Sequence, residues 1–187
     1  MAVLNEHPIL FSGPMVRALL AGRKTQTRRT RAPRWVAGDR LWVREAWRLH
    51  ERFSDVARIR YQASERQSWT EQHEDFSIAL AAGLKDKPGY RPSIHMPRWA
   101  CRIGLTVEAV RPEPLHDISE ADARAEGIER LHDGFGIADM GHDASPIVQP
   151  TAVGAYARLW NRINGEDAWA ENPTVYVTTL SVEAPVG

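Results

Sequence analysis

Nine residues, Ala21-Gly22-Arg23-Lys24-Thr25-Gln26-Thr27-Arg28-Arg29, bring four cations and two hydroxyls together. A threonine hydroxyl such as that of Thr27 becomes a nucleophile when a base takes its proton, and a lysine such as Lys24 serves as that base once neutral. Burial and crowded arginines both disfavour the ammonium form, so both push a lysine in that direction. Arg28 and Arg29 suit a different task, the holding of a phosphate or carboxylate through paired N–H groups. The wider stretch from Arg17 to Arg44 carries eight arginines and one lysine against a single acid, Asp39, in a chain that is formally neutral. The charge is therefore a local device, the working edge of a small nucleic-acid-facing site. Between Glu113 and Asp143 stand nine acids against only Arg124 and Arg130, so members of the two blocks are expected to meet across a cleft.

Aromatic residues beside arginines supply a second kind of chemistry, the stacking of bases. Trp42 next to Arg44, and Trp99 next to Arg98, are the candidates among seven tryptophans. Trp47 and Trp160 read as core. His95, in Pro-Ser-Ile-His-Met-Pro, joins Arg98 as a candidate pocket residue. The histidines show no metal-ligand spacing: His132-Asp133 and His142-Asp143 lie in a glycine-rich stretch without a His-x-x-x-His or cysteine pair. No metal and no cofactor are expected. Gly22-Arg23-Lys24-Thr25 fails as a phosphate-binding loop, because Arg23 separates the glycine from the lysine and the helix precedes the loop.

These side chains need elements to position them. Residues 8–11 read as a short buried strand. Ser12 and Pro14 then open a helix over about 14–21, striped by Met15, Val16, Leu19 and Leu20 and stopped by Gly22. In one continuous strand, positions 24 and 27 would face opposite ways, so the segment after Gly22 must turn for the two to converge. Gly38-Asp39 leads into a strand over 40–47, with Leu41, Val43 and Glu45 on one face. Residues 57–63 alternate as a second strand. Residues 64–93 look irregular, with a short helix near 76–82, and are expected to be an excursion over the site or on the surface. A strand over 105–110 is closed by Pro112 and Pro114. Ser119 and Asp122 cap a helix that Gly127 ends. Residues 129–150, rich in glycine, read as a mobile loop. Thr151 caps a last helix stopped by Gly165, and residues 174–182 form a final strand. Several short strands with few helices point to a small mixed β-barrel.

Composition bounds the rest. The length suits one domain, spanning 1–187, with insertions at about 50–93 and 129–150. No apolar run reaches membrane-spanning length, the first ten residues lack a secretory layout, and a lone Cys101 suits a reducing cytoplasm.

Gly22-x-Lys24-x-x-Thr27-x-Arg29 resembles the signature of ASCH domains, members of the PUA-like superfamily of RNA-associated β-barrels. Gly38-Asp39-Arg40-Leu41-Trp42-Val43-Arg44-Glu45, Ser93-Ile94-His95-Met96-Pro97-Arg98-Trp99-Ala100, Ile118-Ser119-Glu120 with Ala125-Glu126-Gly127, and the 175–180 strand extend the likeness to longer ASCH proteins of phages and prophages. The resemblance implies an α+β fold, a PUA-like barrel with peripheral helices. It also implies a cytoplasmic protein acting on a nucleoside or RNA. Some members remove the acyl group from N4-acetylcytidine with a lysine, a threonine and a glutamate, roles that fall here on Lys24, Thr27 and Glu126. Others are ribonucleases, and a non-catalytic reader of RNA or modified nucleotides is the third expectation.

Overall fold

A computed structural model describes residues 5–65, 72–85, 87–137 and 147–183 of the chain. Its frame is a five-stranded sheet of β1 (Glu6–Leu10), β3 (Arg40–Arg44), β7 (Gly104–Pro114), β11 (Thr174–Val182) and β2 (Gln26–Arg29), in that spatial order. Only the β1–β3 pair is parallel. Helix α1 (Gly13–Leu20) links β1 to β2, and buries Met15, Val16, Ala18 and Leu19 in the main core. Helices α2 (Glu120–Ala125) and α3 (Ala152–Asn164) complete that core, α3 through Ala155, Tyr156, Leu159 and Trp160.

The fold is α+β and mostly sheet, but the expected barrel closure is not seen among the described residues. Strands β1 and β2 remain the outer edges. At five and four residues they are short, and no backbone ladder joins them. One side chain spans the gap: the Arg29 guanidinium donates to the Leu10 carbonyl at 3.1 Å.

Strand β7 runs past its expected stop, through Pro112 and Pro114. Strand β3 pairs only with residues 104–106, so beyond them β7 is an edge on that side. Prolines are tolerated where the missing N–H would point away from a partner.

Two expectations for the connecting segments are corrected. Within residues 64–93, expected to be irregular, His73–Ser77 form a strand, β6, which completes a second sheet with β4 (Trp47–Arg52) and with β5 (Val56–Tyr61), the strand expected over 57–63. Trp47, Ile59 and Tyr61 face a second core with Met96 and Ala100. The helix expected near 76–82 is the end of β6 followed by a single 3-10 turn, Ile78–Ala81. Residues 129–150 are likewise ordered where described, as β8 (Glu129–Leu131), β9 (Gly134–Ile137) and β10 (Ile147–Gln149) in a third sheet. Trp69, His142 and Asp143 lie outside the described residues. No helix among the described residues is long and apolar enough to cross a membrane.

Candidate functional site

Lys24 is placed by a turn, not by a strand. Gly22, at φ +68°, ends α1 in the left-handed conformation that glycine adopts without penalty. The backbone N–H groups of Arg23 and Lys24 then both donate to Ala18 O, at 2.9 and 3.0 Å. Thr25 bridges two elements, its N–H donating to Ala125 O of α2 and its carbonyl accepting from Leu180 of β11, each at 2.8 Å. Strand β2 begins only at Gln26. The turn required by the sequence is therefore present, and Lys24 and Thr27 line one cavity of about 470 Å³ together with Glu126.

Glu126 reaches that cavity because of how α2 ends. Ser119 and Asp122 form the expected capping box at its start. At the other end Gly127 N–H donates to Arg124 O and Ile128 N–H to Ala123 O, a Schellman closure with Gly127 at φ +104°. Glu126, at the C-cap, is thereby turned inward and buried. A Cβ on Gly127 would sit 3.1 Å from the Ala18 Cβ in a backbone conformation that L residues rarely adopt. Gly127→Ala is accordingly expected to destabilise the fold by about 1–3 kcal/mol, read from a denaturant midpoint.

The polar geometry inside is dense. Lys24 Nζ donates to Glu126 Oε2 at 2.7 Å, to the Gln26 carbonyl at 2.7 Å and to the Glu126 carbonyl at 3.0 Å. Three acceptors match the three protons of an ammonium. Burial nevertheless pushes the Lys24 pKa below its ordinary 10.5; Glu126 pulls the other way, while Arg29 and Arg28 add to the lowering. The Phe11 ring lies 5.4 Å from Nζ. Arg28 is bound by carboxylates: Glu113 at 2.9 Å, Glu126 at 3.3 Å and Asp122 at 3.6 Å. The basic and acidic blocks do meet, and Arg28 is the main joint. Its charges are thereby spent within the protein, and it holds Glu126 rather than offering itself to a ligand.

The third wall is α3. Glu120 of α2 accepts from the backbone N–H groups of Ala152 and Val153, at 2.8 and 3.1 Å. A carboxylate at a helix N-terminus complements the positive end of the helix dipole, which fixes α3 against α2. Tyr156, Leu159, Trp160 and Ile163 then face the cavity. Burial raises the Tyr156 phenol well above its usual pKa, and the Glu126 carboxylate adds to this, so it stays a neutral donor. The Nε1 of Trp160 and the Nε of Arg29 are buried without a hydrogen-bond partner. Sequence reasoning missed Tyr156, and read Trp160 only as core. The apolar stripe of α3 gave no sign that one flank borders a polar cavity.

The remaining candidates are placed elsewhere. Trp42, Arg44, His95, Arg98 and Trp99 do not line the Lys24 cavity. Trp42 is buried between two guanidiniums, those of Arg44 at 4.7 Å and Arg98 at 5.7 Å from its ring. Arg98 also pairs with Glu6. Trp99 packs edge-on against Trp47 and Phe76, on the second core. His95 is exposed on the 3-10 turn Ser93–His95. Among the described residues no group of histidine, cysteine and carboxylate side chains could hold a metal.

Fold and site together define an open-sheet α+β protein with a buried amine–carboxylate pair and a hydroxyl at one small cavity. No family model matches the chain, and no curated protein or solved structure is significantly similar to it.

Proposed function

We propose that the chain is an ASCH-type amidohydrolase that removes the acyl group from N4-acetylcytidine or a related acylated pyrimidine nucleoside. The observation that carries the reading is the 2.7 Å contact between Lys24 and Glu126, side chains 102 residues apart, beside Thr27 in one cavity. About 470 Å³ suits a single nucleoside, within the range of small-molecule sites. Arg28 is tied to Glu113 and Glu126, and Arg98 to Glu6, so two of the cations that an open polymer groove would use are engaged. That favours the nucleoside hydrolase over the ribonuclease reading.

The steps follow from the pair. Burial disfavours a lysine–glutamate ion pair relative to its neutral form, so one proton can pass from Nζ to Oε2 along their hydrogen bond. The neutral amine takes the Thr27 proton as Oγ1 attacks the acyl carbon. The C–N4 bond breaks as protonated Glu126 gives its proton to the departing nitrogen, leaving cytidine and an acyl-threonine ester. Water then hydrolyses the ester. Trp160 Nε1–H and the Arg29 guanidinium are donors suited to the developing oxyanion or a base edge.

The test is incubation with N4-acetylcytidine, following release of cytidine. Turnover by the wild type and its loss in Lys24→Ala supports the scheme; no turnover by either removes it. Because the active pair holds the one proton that the departing nitrogen must receive, kcat/KM should fall along an alkaline limb as the pair loses it, and because burial depresses the Lys24 pKa the midpoint of that limb lies below 10.5.

A further inference from the structure

The outer face of the β4–β5–β6 sheet carries two rows of charge that are built differently. In the row Glu51–Arg58–Asp75 the cation is neutralised on both sides: Arg58 pairs with Asp75 at 2.7 Å and approaches Glu51 at 3.5 Å. In the next row, Arg48 stands directly opposite Arg60, and Arg60 opposite His73. Like charges directly opposite each other on neighbouring strands repel. Among the described residues neither arginine forms an ion pair, and the Nε of each is buried without a hydrogen-bond partner.

Three neighbours shape the spot. Tyr90 lies with its ring 5.3 Å from the Arg48 guanidinium. Burial raises the Tyr90 pKa, and the Glu65 carboxylate beside its hydroxyl adds to this. His50, at the bulge of β4, rests on His73 with ring centroids 4.7 Å apart. Burial lowers the His50 pKa, as do His73, Arg48 and Arg60, while Glu51 opposes them.

We infer that this row is a binding site for a phosphate group, with Arg48 and Arg60 as its two guanidinium ligands. Two guanidiniums facing each other across strands about 5 Å apart can present paired N–H groups to one tetrahedral anion. Planar, weakly hydrated guanidiniums suit such an oxyanion better than ammonium groups would. Binding would also offset the repulsion between the two facing guanidiniums. The site does not depend on the chemistry proposed for Lys24.

The same chemistry could come from a nucleic-acid backbone or from free phosphate, and two titrations separate them. A labelled 5′-phosphorylated oligoribonucleotide is followed by fluorescence anisotropy at several salt concentrations, and inorganic phosphate by its effect on the thermal midpoint. Wild type should bind at least one of the two. R48Q/R60Q should weaken that binding at least tenfold; if the oligonucleotide is the ligand, its salt dependence should flatten by ~0.7 in log–log slope for the one phosphate released. Without ligand, R48Q/R60Q should melt at or above the wild-type temperature, which separates loss of a site from loss of the fold. Arg58→Gln, which breaks only the neutralised row, should bind as the wild type does. Equal affinity, salt slope and phosphate response in wild type and R48Q/R60Q would overturn the inference.

Discussion

Glu126→Gln is expected to abolish release of cytidine from N4-acetylcytidine and to cost about 3–5 kcal/mol of unfolding free energy, because it leaves the buried Lys24 ammonium without its counter-charge. The size of the effect follows from the surroundings. Glu126 accepts from both Lys24 and Arg28, and both partners are buried. Arg28 retains Glu113 in the variant, but Lys24 is left with neutral acceptors, among them the Gln26 and residue-126 carbonyls. A double replacement, Lys24→Met with Glu126→Leu, removes both charges and should recover most of the loss while staying inactive. If the two single costs instead add in the double variant, the pair is not coupled. The sign of the pH dependence is also fixed. Burial already holds the Lys24 pKa below 10.5, and removing Glu126 removes the main force opposing it. Between the folded and unfolded pKa values the unfolded chain binds the extra proton, so stability rises with pH. The Glu126→Gln deficit should therefore shrink as pH increases toward 10.5, a trend that urea unfolding at several pH values would detect.

That the site could be sketched at all from sequence rests on local signals with few alternatives. Gly22 after an apolar stripe demanded a turn before Lys24, and the structure has it. Ser119, Asp122 and Gly127 bounded α2 and so located Glu126 at its end. What was not legible came from close approaches that no periodicity reports. Gly134 and Gly136 read as loop residues, yet they lie in β9 because β10 crosses so near. A Cβ on Gly136 would meet Ile147 O at 1.8 Å, and one on Gly134 would meet Gln149 O at 2.5 Å. His73-Glu-Asp-Phe-Ser77 has little strand character by itself; pairing with β5 and the Arg58–Asp75 bridge make it one. The expected barrel closure is not seen among the described residues for a related reason. Five strands were expected and eleven are found among the described residues, and the contact seen there across the last gap is a guanidinium–carbonyl bond instead of a ladder. Trp42 and Arg98 do come together as an aromatic–cation pair, but at Glu6 and Arg44 and away from the Lys24 cavity.

Trp47→Ala is expected to cost about 3–5 kcal/mol and to show how separable the second core is. The ring is fully buried against Trp99 at 6.3 Å, and Arg91 lies over it at 5.2 Å. Its indole N–H has no acceptor, so truncation leaves no carbonyl orphaned and the loss is one of packing alone. The backbone of Trp47 exchanges hydrogen bonds with Arg91, at 3.3 and 2.7 Å, so the segment after β6 is stitched to β4 at the same point. The damage should therefore concentrate in β4, β5, β6 and the 3-10 turns Ser93–His95 and Arg98–Ala100. Hydrogen exchange would show this as lost protection there, with β11 and α3 retaining theirs. None of the second-core residues lines the cavity of Lys24, Thr27 and Glu126. Turnover measured well below the melting temperature should then survive Trp47→Ala, where Glu126→Gln removes it. If both variants lost turnover equally, the two cores would have to act as one, and the second sheet would be a determinant of cavity shape and not a neighbour of it.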